Sequence, residues 1–241
     1  MEDRGLSVVL PAFDEERRLP ATLERLLREL PTICSAGWEV IVSDDGSDDG
    51  TVQVARSFGD DVRVHRSGVN RGKGAALLSG ARLAAHPLVL LLDADFPVDL
   101  ESLVAVRSAL AQADLVLGSR RLPGSVCSPP QPLVRRVGGR GFRSAVRVLG
   151  FSGASDPQCG VKGLRRDSVS PVLAEMVSSR YGFDVELIER ARRAGLTVVE
   201  RPVAWRHVEG SSLRPVRDAA ATLGELARVR AALAIPARAT A

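Results

Sequence analysis

The sequence predicts an α/β fold, with a central, mostly parallel sheet and helices on both faces. Three observations predict it. Apolar runs and amphipathic stretches alternate through the first 120 residues, the rhythm of repeated βαβ units. Some of these runs are unbroken, such as Leu88 to Leu92, as a strand covered on both faces requires. Three of the runs end in acidic residues, and ligands of parallel sheets gather beyond the carboxyl ends of the strands.

The elements follow in order. "LSVVLPA" (6–12) is a buried strand, and "RRLPATLERLLREL" (17–30) carries Leu at helical spacing. "WEVIVSDDGS" (38–47) is a second strand ending in acid; a helix follows in 48–58, with Asp48 or Asp49 as its N-cap. "DVRVHR" (61–66) alternates as a short strand. "GKGAALLSGARLAA" (72–85) is an Ala-rich helix entered through glycines, and "PLVLLLDAD" (87–95) is the most buried strand. An amphipathic helix over 99–113 and a strand over 114–120 complete the regular part. The Pro- and Ser-rich stretch 122–132 then predicts a mobile loop. Beyond it the sequence predicts strands near 160–165 and 197–205, a helix at 183–194 and a helical tail from 215 to 235.

Bulk properties narrow the function classes. A chain of 241 residues with 45% hydrophobic content suits one α/β domain with a sizeable core. Aromatics are only 4%, which disfavours a base-stacking nucleic-acid surface. The formal charge of +4 is compatible with an anionic partner. The three cysteines form no CxxC pair, which argues against a zinc site or a disulfide framework. "MEDRG" does not read as a signal peptide, and no apolar run approaches the ~20 residues of a spanning helix. The expectation is a cytoplasmic protein, peripheral on the inner face of the cell membrane.

The chemistry concentrates at the acidic strand ends. Asp93 and Asp95 lie one residue apart after a buried strand; such a pair repels itself and can hold a hard divalent cation through carboxylate oxygens. Asp44 and Asp45 also follow a buried strand and can accept from a base N–H or from ribose hydroxyls. Asp48, Asp49 and Gly50 read as turn and cap. Gly72, Lys73 and Gly74 sit at a helix start, where an anion is favoured; the GxxxxGK[ST] spacing of a P-loop is absent. Arg136, Arg140, Arg143 and Arg147 fall four, three and four apart, one face of a helix, though Gly138, Gly139 and Gly141 predict a first turn that is loop.

In their order, "VVLPAFDEE", "VSDDGSDDGT", "NRGKGAAL", "LLLDADF", "LGSR", "DPQCGVKGLRRD" and "YGFDVELIERARRAG" make the chain resemble the family 2 glycosyltransferases of the GT-A fold, a Rossmann-like architecture. Within them it is most similar to the dolichyl- and polyprenyl-phosphate sugar synthases, and "DPQCGVKG" to their glucose-type branch. The resemblance implies one domain over 1–241, with a nucleotide-sugar half to about 121, an acceptor half to about 214 and a helical tail over 215–241. It implies a UDP-sugar donor, with a GDP-sugar less favoured, held by Pro11, Ala12, Asp14, Glu15, Asp44, Asp45, Gly72, Lys73, Asp93 and Ala94. Asp95 would hold Mg2+ or Mn2+. Where mannose-type relatives carry a polar Gln, this chain has Pro97, so His207 becomes the candidate for a further metal ligand. Asp184 and Glu186 fall where the family has acids near the donor sugar; their two-step spacing lets only one reach the site. Arg143 is expected to hold the phosphate of a polyprenyl phosphate acceptor, Arg120 and Arg121 to meet phosphate, and Arg214 to close over the diphosphate.

The reaction so implied is inverting sugar transfer to polyprenyl phosphate. A phosphate acceptor is already ionised and needs no strong general base. Three alternatives share parts of the site: transfer to a glycan or glycolipid hydroxyl, for which Asp184 would be a necessary base; nucleotidyl transfer; and a nucleotide-sugar sensor without turnover. The tail can lie on a membrane surface, pack on the domain or meet a second subunit.

Overall fold

In the computed structural model, the described residues are 4–128, 133–151, 153–206 and 215–234. In chain order the elements are β1 (Leu6–Ala12), α1 (Leu19–Ile33), β2 (Trp38–Asp44), α2 (Thr51–Arg56), β3 (Val62–Arg66), α3 (Lys73–Leu83), β4 (Leu88–Leu92), α4 (Leu100–Ala109) and β5 (Leu115–Ser119). They continue with β6 (Val126–Ser128), α5 (Leu133–Val148), β7 (Val161–Arg165), α6 (Arg166–Ala174), α7 (Phe183–Arg193), β8 (Val198–Pro202), β9 (Ala204–Arg206) and α8 (Pro215–Ala234).

Seven strands form one sheet in the order β3-β2-β1-β4-β7-β5-β8. The pairs β3·β2, β2·β1, β1·β4 and β5·β8 are parallel. β7 runs antiparallel to both β4 and β5. The expectation of a mostly parallel sheet holds, and this one reversal matters for the site. It sets Val161 opposite Leu92, so the residues leading into β7 lie where β4 ends.

Helices cover both faces. Leu19, Leu23, Leu26 and Leu30 of α1 are fully buried and pack with Leu103 and Val106 of α4 against β1, β2 and β4. The other face packs Leu77 and Ala81 of α3, Val169 and Leu173 of α6, and Leu187 and Ile188 of α7. Burying one such side chain contributes about 1.5–3 kcal/mol, so these leucines anchor the sheet whose ends carry the acids. A third, smaller cluster joins α5, α7 and α8 through Val146, Val185, Leu226 and Val229. Through this cluster the tail helix packs on the domain.

Local expectations are corrected at four places. α2 starts at Thr51 behind Gly50, because Asp49 turns back to accept from the backbone N–H of Thr51 (2.9 Å). The stretch 122–132 is not all loop: Val126–Ser128 pairs in parallel with Ala204–Arg206. Helix α5 begins at Leu133, so its glycines do not unwind the first turn. α1 runs on through Pro31 to Ile33, three residues past the expected end.

Candidate active site

The carboxyl ends of β2, β1 and β4 converge, as parallel neighbours must. Asp45 N–H donates to Ala12 O (2.8 Å), tying the ends of β1 and β2 together. Pro11 and Ala12 are buried in β1. Asp14 adopts a left-handed φ of 54°; its N–H donates to Ser47 Oγ (3.0 Å) and its carboxylate accepts from Asp48 N–H (3.2 Å). Glu15 forms a two-point pair with Arg18 (2.7 and 2.6 Å). Burial nevertheless lifts its carboxyl above the usual range, with Asp95 and Asp49 adding to the rise against the pull of Arg18.

Asp44 and Asp45 are engaged by the chain itself. Asp44 is buried and accepts from the N–H groups of Gly46 and Ser47 (3.2 Å each) and from the Ser47 hydroxyl. Asp45 accepts from the N–H groups of Arg71 (2.9 Å) and Gly72 (2.6 Å), so it fixes the turn that enters α3. Gly72 has φ 111°, and a Cβ there would sit 2.7 Å from Ser179 O. That turn delivers Lys73 as the first residue of α3.

Lys73 Nζ pairs directly with Asp93. Burial opposes the charge on Asp93, but Lys73, then Lys162 and Arg120, hold its carboxyl below the usual range. Burial likewise opposes the Lys73 ammonium, and Asp93 and Asp184 more than compensate, raising it. Asp93 N–H donates to Gly160 O (3.0 Å), and a Cβ at residue 160 would overlap the Asp93 carboxylate. Only glycine permits β7 to approach this closely. The pocket here is lined by Lys73, Leu77, Asp93, Gly160, Lys162 and Asp184, among others.

Asp95 is different. Its Oδ1 is buried with no hydrogen-bond partner, and burial, then the Asp93 charge, raise its carboxyl above the usual range. A buried acceptor left in this state favours a cation. Helix α1 shapes the loop around it. Thr22 Oγ1 donates to Ala94 O (2.6 Å), and Arg25 donates to Phe96 O (3.1 Å) and Val98 O (2.8 Å) while its guanidinium lies 4.0 Å above the Phe96 ring. Phe96 itself has φ 38°. Among the described residues no group of three His, Cys, Asp or Glu side chains is placed to hold a metal. One carboxylate oxygen left unpaired on Asp95 fits a hard divalent cation, whose other ligands would have to come from outside the protein side chains described. Arg206 N–H donates to Pro97 O (2.6 Å); His207 and Arg214 lie outside the described residues.

Across the pocket, Asp184 in the first turn of α7 pairs with Lys162 Nζ (2.8 Å), which also donates to Cys159 O (2.7 Å). Glu186 is fully buried and accepts from Val177 and Ser178 N–H groups and from Arg190. One of the two acids reaches the pocket, and it is Asp184. Lys162 was missed from sequence; its signal was a lysine inside the otherwise apolar strand pattern of "GVKGL". Arg120, expected to meet phosphate, forks onto Asp156 (2.6 and 2.8 Å) and lies 4.8 Å from the Trp205 ring.

Arg143 is half-buried in a groove with Val146, Arg147, Ala154, Pro157, Val185 and Ile188. Burial depresses its pKa, and Arg121, Arg147 and Arg140 depress it further despite Asp156. Among the described residues no ion pair engages the guanidinium groups of Arg121, Arg140, Arg143 or Arg147. Arg143 and Arg147 give the groove a positive field, which the Asp156 charge partly offsets at Arg143.

Residues 7–173 match the sequence model described as "Glycosyl transferase family 2". The chain belongs to this family. It is thus a glycosyltransferase. It is 35% identical over 229 residues to the dolichyl-phosphate beta-glucosyltransferase of Mus musculus, covering 88% of this chain and 70% of that protein. It is 31% identical over 219 residues to the glycosyltransferase AglD of Haloferax volcanii, covering 88% of this chain and 35% of that one. The fold of this family 2 enzyme is shared with glucosyl-3-phosphoglycerate synthase of Mycobacterium tuberculosis, solved with Mn2+, UDP-glucose and phosphoglyceric acid. The TM-score is 0.68 at 21% identity, over 98% of this chain and 81% of that one.

Proposed function

We propose that this glycosyltransferase transfers a hexose from a UDP-sugar to polyprenyl phosphate with inversion, releasing UDP. The observation that carries this is the pairing of two unlike half-sites: a pocket of paired acids and lysines beside which Asp95 carries an orphaned carboxylate oxygen, and a basic groove whose Arg143 and Arg147 form no ion pair among the described residues. The mouse relative named as a dolichyl-phosphate beta-glucosyltransferase supports the acceptor class, and the fold neighbour solved with Mn2+ and UDP-glucose supports the donor.

Asp95 would hold Mg2+ or Mn2+, which when bound supplies positive charge against the diphosphate leaving group. Lys73, at the N-terminus of α3, adds its ammonium and the helix dipole on the same side. An acceptor phosphate oxygen forms the new bond to the anomeric carbon; the bond to the UDP oxygen breaks and UDP leaves with the electron pair. No group must remove a proton from a phosphate that is already ionised. Asp184, fixed by Lys162, then orients sugar hydroxyls rather than acting as a base. Arg143 and its neighbours hold the acceptor phosphate. Val148 is 87% exposed beside the arginines of α5, which suits a peripheral position on an anionic membrane surface; no described helix is long and apolar enough to cross a membrane.

The test is release of nucleoside diphosphate with Mn2+ or Mg2+, a panel of UDP- and GDP-sugars and a short polyprenyl phosphate. Release that requires both metal and lipid phosphate is expected. Release that ignores the lipid phosphate and rises with a glycan acceptor would replace this reading with hydroxyl transfer.

A further inference from the structure

The family match ends at residue 173, yet a side chain far beyond it reaches the donor pocket's scaffold. Glu225 lies in α8 and is 4% exposed. Its carboxylate accepts from the backbone N–H groups of Ser179 (2.6 Å), Arg180 (3.0 Å) and Gly182 (2.9 Å). Ser179 Oγ is a fourth, long contact at 3.5 Å. Among the described residues no ion pair to Glu225 accompanies these bonds. A buried carboxylate held by three main-chain donors is an anion in a backbone nest, and its removal leaves those donors unpaired.

The nested segment joins the two sides of the pocket. Ser179 O accepts from Ala75 N–H (2.8 Å), two residues after Lys73 in the first turn of α3. Gly182 directly precedes α7, whose first turn presents Asp184. The neighbouring N–H groups of Val177 and Ser178 go to Glu186. The shape of segment 177–182 is therefore set by two buried carboxylates, one from α7 and one from α8. Hydrophobic contacts of Leu226 and Val229 with Val146 and Val185 hold α8 in place.

We infer that Glu225 is a positioning residue of the donor site: from α8 it fixes segment 179–182, and through it the turn that aims Lys73 and the start of the helix that carries Asp184. The inference rests on the donor reading above for its effect on UDP, but not for its effect on the backbone.

The experiment compares the full chain with Glu225→Gln and Leu226→Ala, the latter removing packing from the same helix without touching the nest. Amide hydrogen exchange and calorimetric binding of UDP with Mn2+ are measured on each. Glu225→Gln is expected to speed exchange at 179–182 and at Ala75 and Ala76, and to weaken UDP binding about tenfold. Leu226→Ala is expected to lower Tm while UDP affinity stays within about twofold. Faster exchange at 179–182 with Ala75 and Ala76 unchanged would overturn the inference, as would equal UDP affinity in wild type and Glu225→Gln. If α3 responds but the wild-type chain binds no UDP, the donor reading fails and the positioning role stands. Should Glu225→Gln not fold, Gly182→Ala serves, since a Cβ there meets Glu225 Oε2 at 2.7 Å and displaces the same carboxylate; unchanged exchange at Ala75 in that variant overturns the inference.

Discussion

The pocket at the end of β4 and the groove beside α5 handle charge in opposite ways. In the pocket, Lys73 meets Asp93 and Lys162 meets Asp184, so cations and anions alternate and compensate within the protein. In the groove, Arg143 and Arg147 stand together with no ion pair among the described residues, and Arg143 is depressed by burial and by its like-charged neighbours although the Asp156 charge opposes this. A ligand entering the pocket must exchange partners with groups already paired. An anion entering the groove would meet arginines held by no ion pair among the described residues. The first arrangement suits precise orientation of a donor; the second suits capture of a simple anion.

Asp95, two residues past Asp93 and unpaired at Oδ1, is the exception beside the pocket, and it offers the largest effect. Asp95→Ala is expected to cut turnover by about 10²–10³-fold, the order seen when one stabilising contact to a developing charge is lost, while Tm holds or rises because a buried orphan acceptor is removed. Turnover retained with an unchanged metal dependence would break the contrast, since Asp95 would then be no more than a loop acid.

The paired character of the pocket is sharpened next by Lys162→Met. It strands the Asp184 carboxylate, and breaking a buried pair costs about 3–5 kcal/mol; a shift of that order in the unfolding free energy, from denaturant titration, checks it. A shift near zero would show that Asp184 finds another cation and that the alternation is redundant.

The pair of Arg120 with Asp156 carries a pH signature. Burial opposes the Asp156 charge, but hydrogen bonds and the charge of Arg120 hold its carboxyl below the usual range. A depressed folded pKa contributes stability above the unfolded value of about 3.9, lost as pH falls through the folded value. Tm should therefore drop on acidification below about pH 4, and Asp156→Asn should flatten that limb. An unaltered acid limb would remove this pair from the contrast.

The smallest effect belongs to the groove. Arg143→Ala should raise the apparent KM for lipid phosphate about tenfold, the loss of one partly exposed charged contact, with UDP binding unchanged. The wild-type KM should rise with ionic strength, since open charges are screened. A fall in donor affinity instead would move Arg143 to the other side of the comparison.

Much of this site could be read from the chain order alone. Asp93 and Asp95 were expected at a buried strand end, and Leu88 to Leu92 do form that strand. Asp49 was expected to act in a turn and does. Less could be read where side chains choose distant partners. The sequence reads Asp45 as a nucleotide ligand without its hold on the 71–72 backbone, and Arg120 as a phosphate contact without its pair with Asp156. Neither composition nor periodicity distinguishes a charged group at a strand end from one already engaged.

What the sequence determined by itself were the features carried by local order: the strand and helix pattern, the acids where strands end, and the arginine face of α5. Hydrophobic periodicity and chain connectivity act within a few turns, so each could be read in place. The tertiary structure decided the reversal of β7, which sets Gly160 and Lys162 against Asp93, and the return of α8, which sets Glu225 against Ser179, 46 residues away. Those contacts depend on which strands neighbour one another and on how buried charges find donors, and both are settled only when the whole sheet and its covering helices are assembled.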